Sequence, residues 1–391
     1  MHKFILYMRD FIKYQNYELS TNVEISYFSS LANGVSEYMA IIKGNDSSLP
    51  FIDQLNNIKK SLDMLPDRCG GASAVFARFF LSDISNQRGI VEEIVEDYTD
   101  CSFSIIGQPP LDGTKVALFV YLQGAMESKS YPDGLLSQKH GSYTHYWGAS
   151  AFNKAANSEY QMRLLFNEYV MQLANKGCSL YNNCIRTWIF VQDIDVNYHM
   201  VVKARNEVFA SQNLISETHY IASTGIAGVN GDPKVSVQMD TYAIDGLKEG
   251  QVKYLYASHH LNRTSEYGVS FERGTSVIYG DRTHTFISGT ASIDHKGEIL
   301  FAGDVIKQAE RACENVDALL TEAECSFDDV MHIIVYLRDI SDYANVSSYY
   351  DSRFTSIPKV YVLAPVCRPG WLVEMECIAI NDRRNDMFEN F

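Results

Sequence analysis

The stretch Lys359-Val-Tyr-Val-Leu-Ala-Pro-Val-Cys-Arg-Pro-Gly-Trp-Leu-Val-Glu-Met-Glu-Cys-Ile-Ala-Ile380 reads as two strands around a turn. Apolar residues alternate from Val360 to Val366, a second apolar run covers Leu372 to Ile380, and Pro369-Gly370 punctuates them. The second run is nearly all β-branched or apolar, yet it carries Glu374 and Glu376. Side chains alternate along a strand, so the two carboxylates share one face. A carboxylate on an otherwise buried strand is costly unless it is protonated, paired or used in chemistry. Cys367 and Arg368 stand just before the turn and offer partners. Glu374 is therefore the candidate centre of the chemistry.

Working outward, the same order of elements occurs three times. A helix opening at a glutamine is expected over residues 54–65, 161–173 and 308–320, each with one apolar stripe at helical spacing. A strand ending in Asp-Ile follows, over 74–83, 184–193 and 331–339, and Asp83, Asp193 and Asp339 each fit the N-cap of the next helix. Second helices are expected over 87–96, 196–211 and 343–355. Two strands joined by a turn close each copy, with Asp112-Gly113 and Asn230-Gly231 marking hairpins in the first two. The final strands are 116–122, 235–243 and 372–380. Opening hairpins are read at 23–42, from 143–149, and at 284–293 with 298–302.

The expected fold is thus α+β: three ββαβαββ units, each a small sheet backed by two helices. The bare sheet faces need cover, and three units in a closed ring cover one another, as a pseudo-trimer within one chain. Residues 1–123 form a degenerate first unit and 143–245 the second. Residues 124–142, polar and rich in Gly and Ser, read as a linker. Residues 246–282 read as an insertion roofing the site, and 283–391 as the C-terminal catalytic unit.

Composition narrows the function. A net charge of −15 argues against a sequence-independent nucleic-acid binder, which needs a basic surface. The N-terminal residues 1–9 lack the long apolar run and small-residue cleavage site of a signal peptide, and no apolar run is long enough for a membrane span. Eight scattered cysteines without a C-x-x-C pair suit reduced thiols in a cytoplasmic protein, and no metal or cofactor motif is present.

The third copy resembles the Rid (YjgF-like) family. The resemblance is carried by Phe286-Ile-Ser-Gly-Thr-Ala-Ser292, Gly303-Asp304, Gln308, Asn315-Val316, Val335-Tyr-Leu-Arg-Asp339 and Leu372-Val-Glu-Met-Glu376. Members of that family are homotrimers with sites at subunit clefts, which agrees with an internal triplication. Imine-hydrolysing members carry an arginine two residues after a proline before the turn. Here the segment is Ile357-Pro358-Lys359-Val360, which departs from that pattern.

From residue 185 onward the chain also resembles the chorismatase family. The residues are Ile185-Arg-Thr-Trp188, Ala222-Ser-Thr-Gly-Ile226, Gln251-Val-Lys-Tyr-Leu-Tyr256, Tyr267-Gly268, Ser270-Phe-Glu-Arg-Gly274, Ser288-Gly-Thr-Ala-Ser-Ile293, Cys367-Arg368 and Leu372-Val-Glu374. That resemblance implies Glu374 as general acid, Arg273 on a substrate carboxylate, and a subgroup set by Gly274 with Cys367 that makes 3-hydroxybenzoate from chorismate.

The chemistry needs such groups. Releasing pyruvate requires protonating the methylene carbon of an enol ether, and carbon is a poor base, so a positioned acid is required. A glutamic acid raised by burial serves, with no cofactor and no metal. Arg273 and Arg368 offer bidentate donors to the two carboxylates, and Tyr254, Tyr256 and Tyr267 offer hydroxyls. Gln251, Gly274, Ser288, Gly289 and Thr290 complete the expected substrate-binding set, with Cys367 assisting beside Glu374. The expected partner is a small anionic molecule, and the ring within one chain favours a monomer. A hydrolase or deaminase of another small carboxylate, and a non-catalytic anion binder, are the rival readings.

Overall fold

In the computed structural model, which describes residues 7–30, 32, 34–124, 127–130 and 133–391, the strands sort into three six-stranded sheets of one topology. The third sheet runs Val252–Leu255, Gly274–Ile278, Thr283–Ala291, Val373–Asn381, Val330–Leu337, Lys359–Leu363. The first and second repeat that order from Tyr7–Asn16 to Ser102–Gly107 and from Glu127–Ser130 to Ala222–Ala227. Two helices back each sheet: Phe51–Asp63 with Ile84–Val95, Ser158–Ala174 with Ile194–Ser211, and Val305–Glu322 with Tyr343–Arg353.

The repeated glutamines have a physical role. Each is buried in the first helix of its unit and staples that helix to the backbone entering the last strand. Gln54 accepts from Lys115 N at 2.9 Å, Gln161 from Ser236 N at 2.7 Å, and Gln308 from Leu372 N at 2.8 Å. The side-chain amides of Gln161 and Gln308 donate back, to the carbonyls of Lys234 and Gly370. An amide side chain offers a donor and an acceptor at once, which is why this one residue type satisfies a turn whose own backbone has no ladder partner.

The turns before the last strands differ from their expected role, because they do not close hairpins. Lys359–Leu363 pairs parallel with Val330–Leu337, while Val373–Asn381 pairs antiparallel with that strand on its other side. The first two units do the same. A helix between two strands returns the chain parallel to where it began, so the last segment must hop over the middle strand. The aspartates stand at N-cap positions, but only Asp339 caps with its side chain, accepting from Ser341 N.

Two other expectations are corrected. Within the expected linker, Glu127–Ser130 pairs antiparallel with Leu135–His140, which pairs in turn with Tyr143–Phe152, so both are strands of the second sheet. Within the expected insertion, Gly274–Ile278 pairs with Thr283–Ala291, so this pair is the third unit's opening hairpin, and residues 298–302 contribute only an isolated bridge at Ile299. Of residues 1–9, on which the N-terminal targeting reading rests, residues 1–6 lie outside the described residues, as does the side chain of Tyr267. Among the described residues no helix is long and apolar enough to cross a membrane.

The units close a ring. Ser102–Gly107 lies against Tyr143–Phe152, Ala222–Ala227 against Thr283–Ala291, and Val330–Leu337 against Ser36–Gly44. Isolated bridges join the edge strands inside it: Gly107 with Val229, Ile226 with Val366, and Pro110 with Val362. Aromatic side chains fill the interior, with Phe76 stacked 5.1 Å from Trp147 and 5.9 Å from Trp188. Burying such rings stabilises the ring by about 1.5–3 kcal/mol each. Seams between adjacent units are the places where walls from two units can enclose a cavity.

Candidate functional site

Glu374 lies on Val373–Asn381, with Ala291 opposite it on one side and Tyr336 on the other. It is 5% exposed. Burial raises its carboxyl most, the Glu376 carboxylate adds to this, and Arg273 and Arg186 oppose, leaving it at about 8 against an ordinary 4.5. Glu374 is therefore a protonated acid at neutral pH. Its carboxyl rests on Gly289, which sits in a bulge between Ile287 and Thr290. A Cβ added at Gly289 would overlap Glu374 Oε1 and crowd Thr224 Cγ2 at 2.9 Å. Glycine there makes room for the acid.

Beside it, burial and the neighbouring Glu374 push the Cys367 thiol up to about 12, against opposing contributions from Tyr198, Arg368 and Arg205. Cys367 is thus a neutral thiol, a donor or a wall and not a nucleophile. The Tyr198 ring lies over Gly225, where a Cβ would approach it to 2.8 Å.

These groups line a cavity of about 520 Å³, mouth included, at the seam between the second and third units. Ser223, Gly225, Tyr198 and Arg205 come from the second unit, and Gly289, Cys367, Arg368, Trp371 and Glu374 from the third. Val269, Phe271 and Arg273, ahead of Gly274–Ile278, complete the wall. Arg273 is buried and held by Asn262, whose Oδ1 is 3.1 Å from Nη2, with Phe271 stacked below the guanidinium at 5.4 Å. Arg368 stacks on Trp371 at 4.8 Å and donates to Gly297 O. Arg205 is 1% exposed, and its Nε and Nη2 have no hydrogen-bonding partner. A buried guanidinium with idle donors is costly, and an anion in the cavity would satisfy it.

The cavity brings together five of the expected residues: Glu374, Cys367, Arg273, Arg368 and Gly289. Others lie elsewhere. Gln251 donates to Tyr143 Oη at 2.9 Å, and Tyr254 stacks on His219 at 4.2 Å, both away from the cavity lining. Ser288 Oγ ties the seam by donating to Glu272 O and accepting from Ser223 N. Thr290 donates to Ser288 O, and Gly274 packs against Leu255 and Phe286. Sequence reasoning missed Arg205 and Tyr198. A signal existed: Ile194, Tyr198, Val201, Arg205 and Val208 fall at alternating spacings of four and three on one helix face, so Arg205 interrupts a buried stripe. Among the described residues no group of three or more His, Cys, Asp or Glu side chains is placed to hold a metal ion.

Residues 276–381 match the family described as endoribonuclease L-PSP. A RutC family protein of Pyrococcus abyssi is 34% identical over 99 residues, spanning 25% of this chain and 78% of that protein. The chain belongs to the RutC family. A second relative, the 2-iminobutanoate/2-iminopropanoate deaminase of Mus musculus, is 35% identical over 109 residues, or 27% of this chain and 79% of the deaminase. Each of these two matches spans about a quarter of this chain. A crystal structure of a chorismatase aligns with a TM-score of 0.62 at 18% identity, covering 78% of this chain and 93% of that one. That likeness extends the shared fold across most of the ring.

Proposed function

We propose that this RutC-family chain cleaves the enolpyruvyl ether of chorismate, giving pyruvate and 3-hydroxybenzoate, with Glu374 as general acid. The observation that carries the reading is a protonated, buried carboxyl on the wall of a cavity that also holds two buried guanidinium groups. Two cations answer the two carboxylates of the substrate, with Arg273 on one and Arg205 on the other, and Arg368 at the mouth. Glu374 then delivers its proton to the methylene carbon of the enol ether, leaving an oxocarbenium ion. The ring C–O bond breaks so that the ether oxygen departs as the keto oxygen of pyruvate, and the neighbouring ring hydroxyl oxygen bridges to the carbon vacated. Opening of that bridge at its original carbon, with loss of a ring proton to the Glu374 carboxylate, gives 3-hydroxybenzoate. Substrate and the two products balance in atoms without net water or a redox partner. The neutral Cys367 thiol and the Tyr198 ring shield that ion from bulk water while the carbocycle becomes aromatic. The fold likeness to a chorismatase supports this reading.

The ring is complete within one chain, which supports a monomer, and eight free cysteines support a reducing, cytoplasmic setting. Against simple imine deamination stands Lys359, whose Nζ pairs with Asp351 at 3.3 Å, away from this cavity. The test is to incubate purified protein with chorismate and assay pyruvate and aromatic products together. Pyruvate with 3-hydroxybenzoate is expected, and no pyruvate at high enzyme concentration overturns the assignment. If the wild type and Glu374→Gln both bind chorismate and neither turns it over, the cavity is a binding site only.

A further inference from the structure

Behind the acid stands a second carboxylate that the proposed reaction does not use. Glu376 shares the strand and face of Glu374 and is 3% exposed. Its Oε2 accepts from Arg186 Nη2 at 2.8 Å and from the Thr224 hydroxyl, and its Oε1 accepts the Trp188 indole N–H at 2.9 Å. Arg78 Nη1 lies 3.9 Å from Oε1, while Arg78 Nη2 is bound to Asp240 at 2.9 Å. Thr224 Oγ1 in turn accepts the Gly289 N–H at 2.8 Å. Gly289 is the residue on which the Glu374 carboxyl rests. An unbroken chain of contacts therefore runs from Glu376 through Thr224 and Gly289 to the acid.

We infer that Glu376 is a positioning residue: it fixes the Glu374 carboxyl through Thr224 and Gly289, and its negative charge keeps a second anion from forming beside it. The chemistry on each side supports this. Three hydrogen-bond donors, one of them a guanidinium group, meet the Glu376 carboxylate with the Arg78 guanidinium 3.9 Å away, and a like charge nearby disfavours ionisation of its neighbour. The charged and titratable groups around the pair are Arg186 from Cys184–Val191, Arg78 from Ser73–Leu81, Asp240 from Val237–Asp245, Tyr336 from Val330–Leu337, and Arg273, Arg205 and Cys367 on the cavity side. Neutralising Glu376 leaves Arg186 and Arg78 facing Asp240 alone, and this surplus of positive charge pulls the proton from Glu374. Removing Arg186 does the reverse. The inference takes from the proposed reaction only that Glu374 is the acid.

The experiment reads Glu374 directly in ligand-free protein. Carbon-13-labelled glutamate gives a protonated-carboxyl infrared band, and Glu374→Gln identifies which band belongs to Glu374. The band is titrated in the wild type, Glu376→Gln and Arg186→Met. Glu376→Gln should lower the midpoint by about one pH unit or more, and Arg186→Met should raise it by a similar amount. Thr224→Val removes no charge, so it should leave the midpoint in place while lowering kcat more than it raises KM. Midpoints that stay put, or that move the same way in both charge variants, overturn the inference. If Glu376→Gln does not fold, the upward shift in Arg186→Met together with the fixed midpoint in Thr224→Val decides the matter. Opposite shifts without any turnover of chorismate would sink the proposed reaction and leave the positioning role standing. Turnover with fixed midpoints would do the opposite.

Discussion

The seam between the second and third units is open, while the seam between the first and second is shut, although both are built on the same strands. Gln238 stands opposite Phe190, and Glu374 stands opposite Tyr336, each three places before its unit's strand-end aspartate. Arg88 and Tyr198 likewise each lie five places after that aspartate. In the shut seam, Arg88 Nη1 donates to Gln238 Oε1 at 3.1 Å, Asn230 O at 2.9 Å and Ile105 O at 3.3 Å, and Gln238 Nε2 donates to Ile105 O at 3.0 Å. Amide and guanidinium satisfy each other and fill the space. In the open seam an acid replaces the amide, a ring over a glycine replaces the long cation, and Arg205 keeps idle donors. In the remaining seam, alanines occupy both places, Ala117 and Ala344. The same strand framework thus carries a cavity in the seam where Arg205 keeps idle donors, and paired polar groups in the seam of Arg88 and Gln238.

The comparison can be broken most sharply at Glu374. Glu374→Gln makes the open seam carry the side-chain type of the shut one, and pyruvate release should fall on the order of 10³-fold while ligand binding persists. Gly289→Ala comes next, because its Cβ displaces the acid; kcat should fall on the order of 10²-fold, measured on protein whose fold is checked by circular dichroism. The two arginines then separate. Arg205→Ala should raise KM by roughly 10- to 100-fold, as expected when a charge-assisted contact to substrate is lost. Arg88→Ala should leave kcat/KM unchanged and cost about 1–2 kcal/mol in denaturant unfolding, since it only empties the shut seam.

A pH effect on stability follows from the same acid. Unfolded Glu374 loses its proton near 4.5, whereas the folded one holds it to about 8, so between those values the native state binds more protons. Wild-type stability should therefore fall as pH rises from 4.5 to 8, by on the order of a few kcal/mol, and Glu374→Gln should flatten that slope in thermal melts at successive pH values. The smallest effect is expected at Tyr254. It stacks on His219 outside the cavity, so Tyr254→Phe should change KM by less than about twofold.

Much of the ring was legible because period and punctuation survive in all three copies. Gln54, Gln161 and Gln308 marked equivalent helices before their stapling role was visible. Leu135–His140 reads as linker in sequence because both faces of this strand bury polar residues: Ser137 and Gln138, on alternate faces, are 5% and 0% exposed. Gly274–Ile278 was hidden for the same reason by Thr275 and Ser276. Glu374 and Cys367 stand out from their setting in sequence, on or beside an apolar run, whereas Arg273 was marked only by the family resemblance. Arg205 and Tyr198 belong to another unit, and no local pattern tells which helix face will meet which seam.

Because three units are written into one chain, no substitution is copied threefold. In a ring of identical subunits, an arginine like Arg88 would plug every pocket at once, and a bulky residue at Gly289 would evict every acid. A single-chain ring escapes that rule: one joint can set into scaffold while another keeps its vacancy.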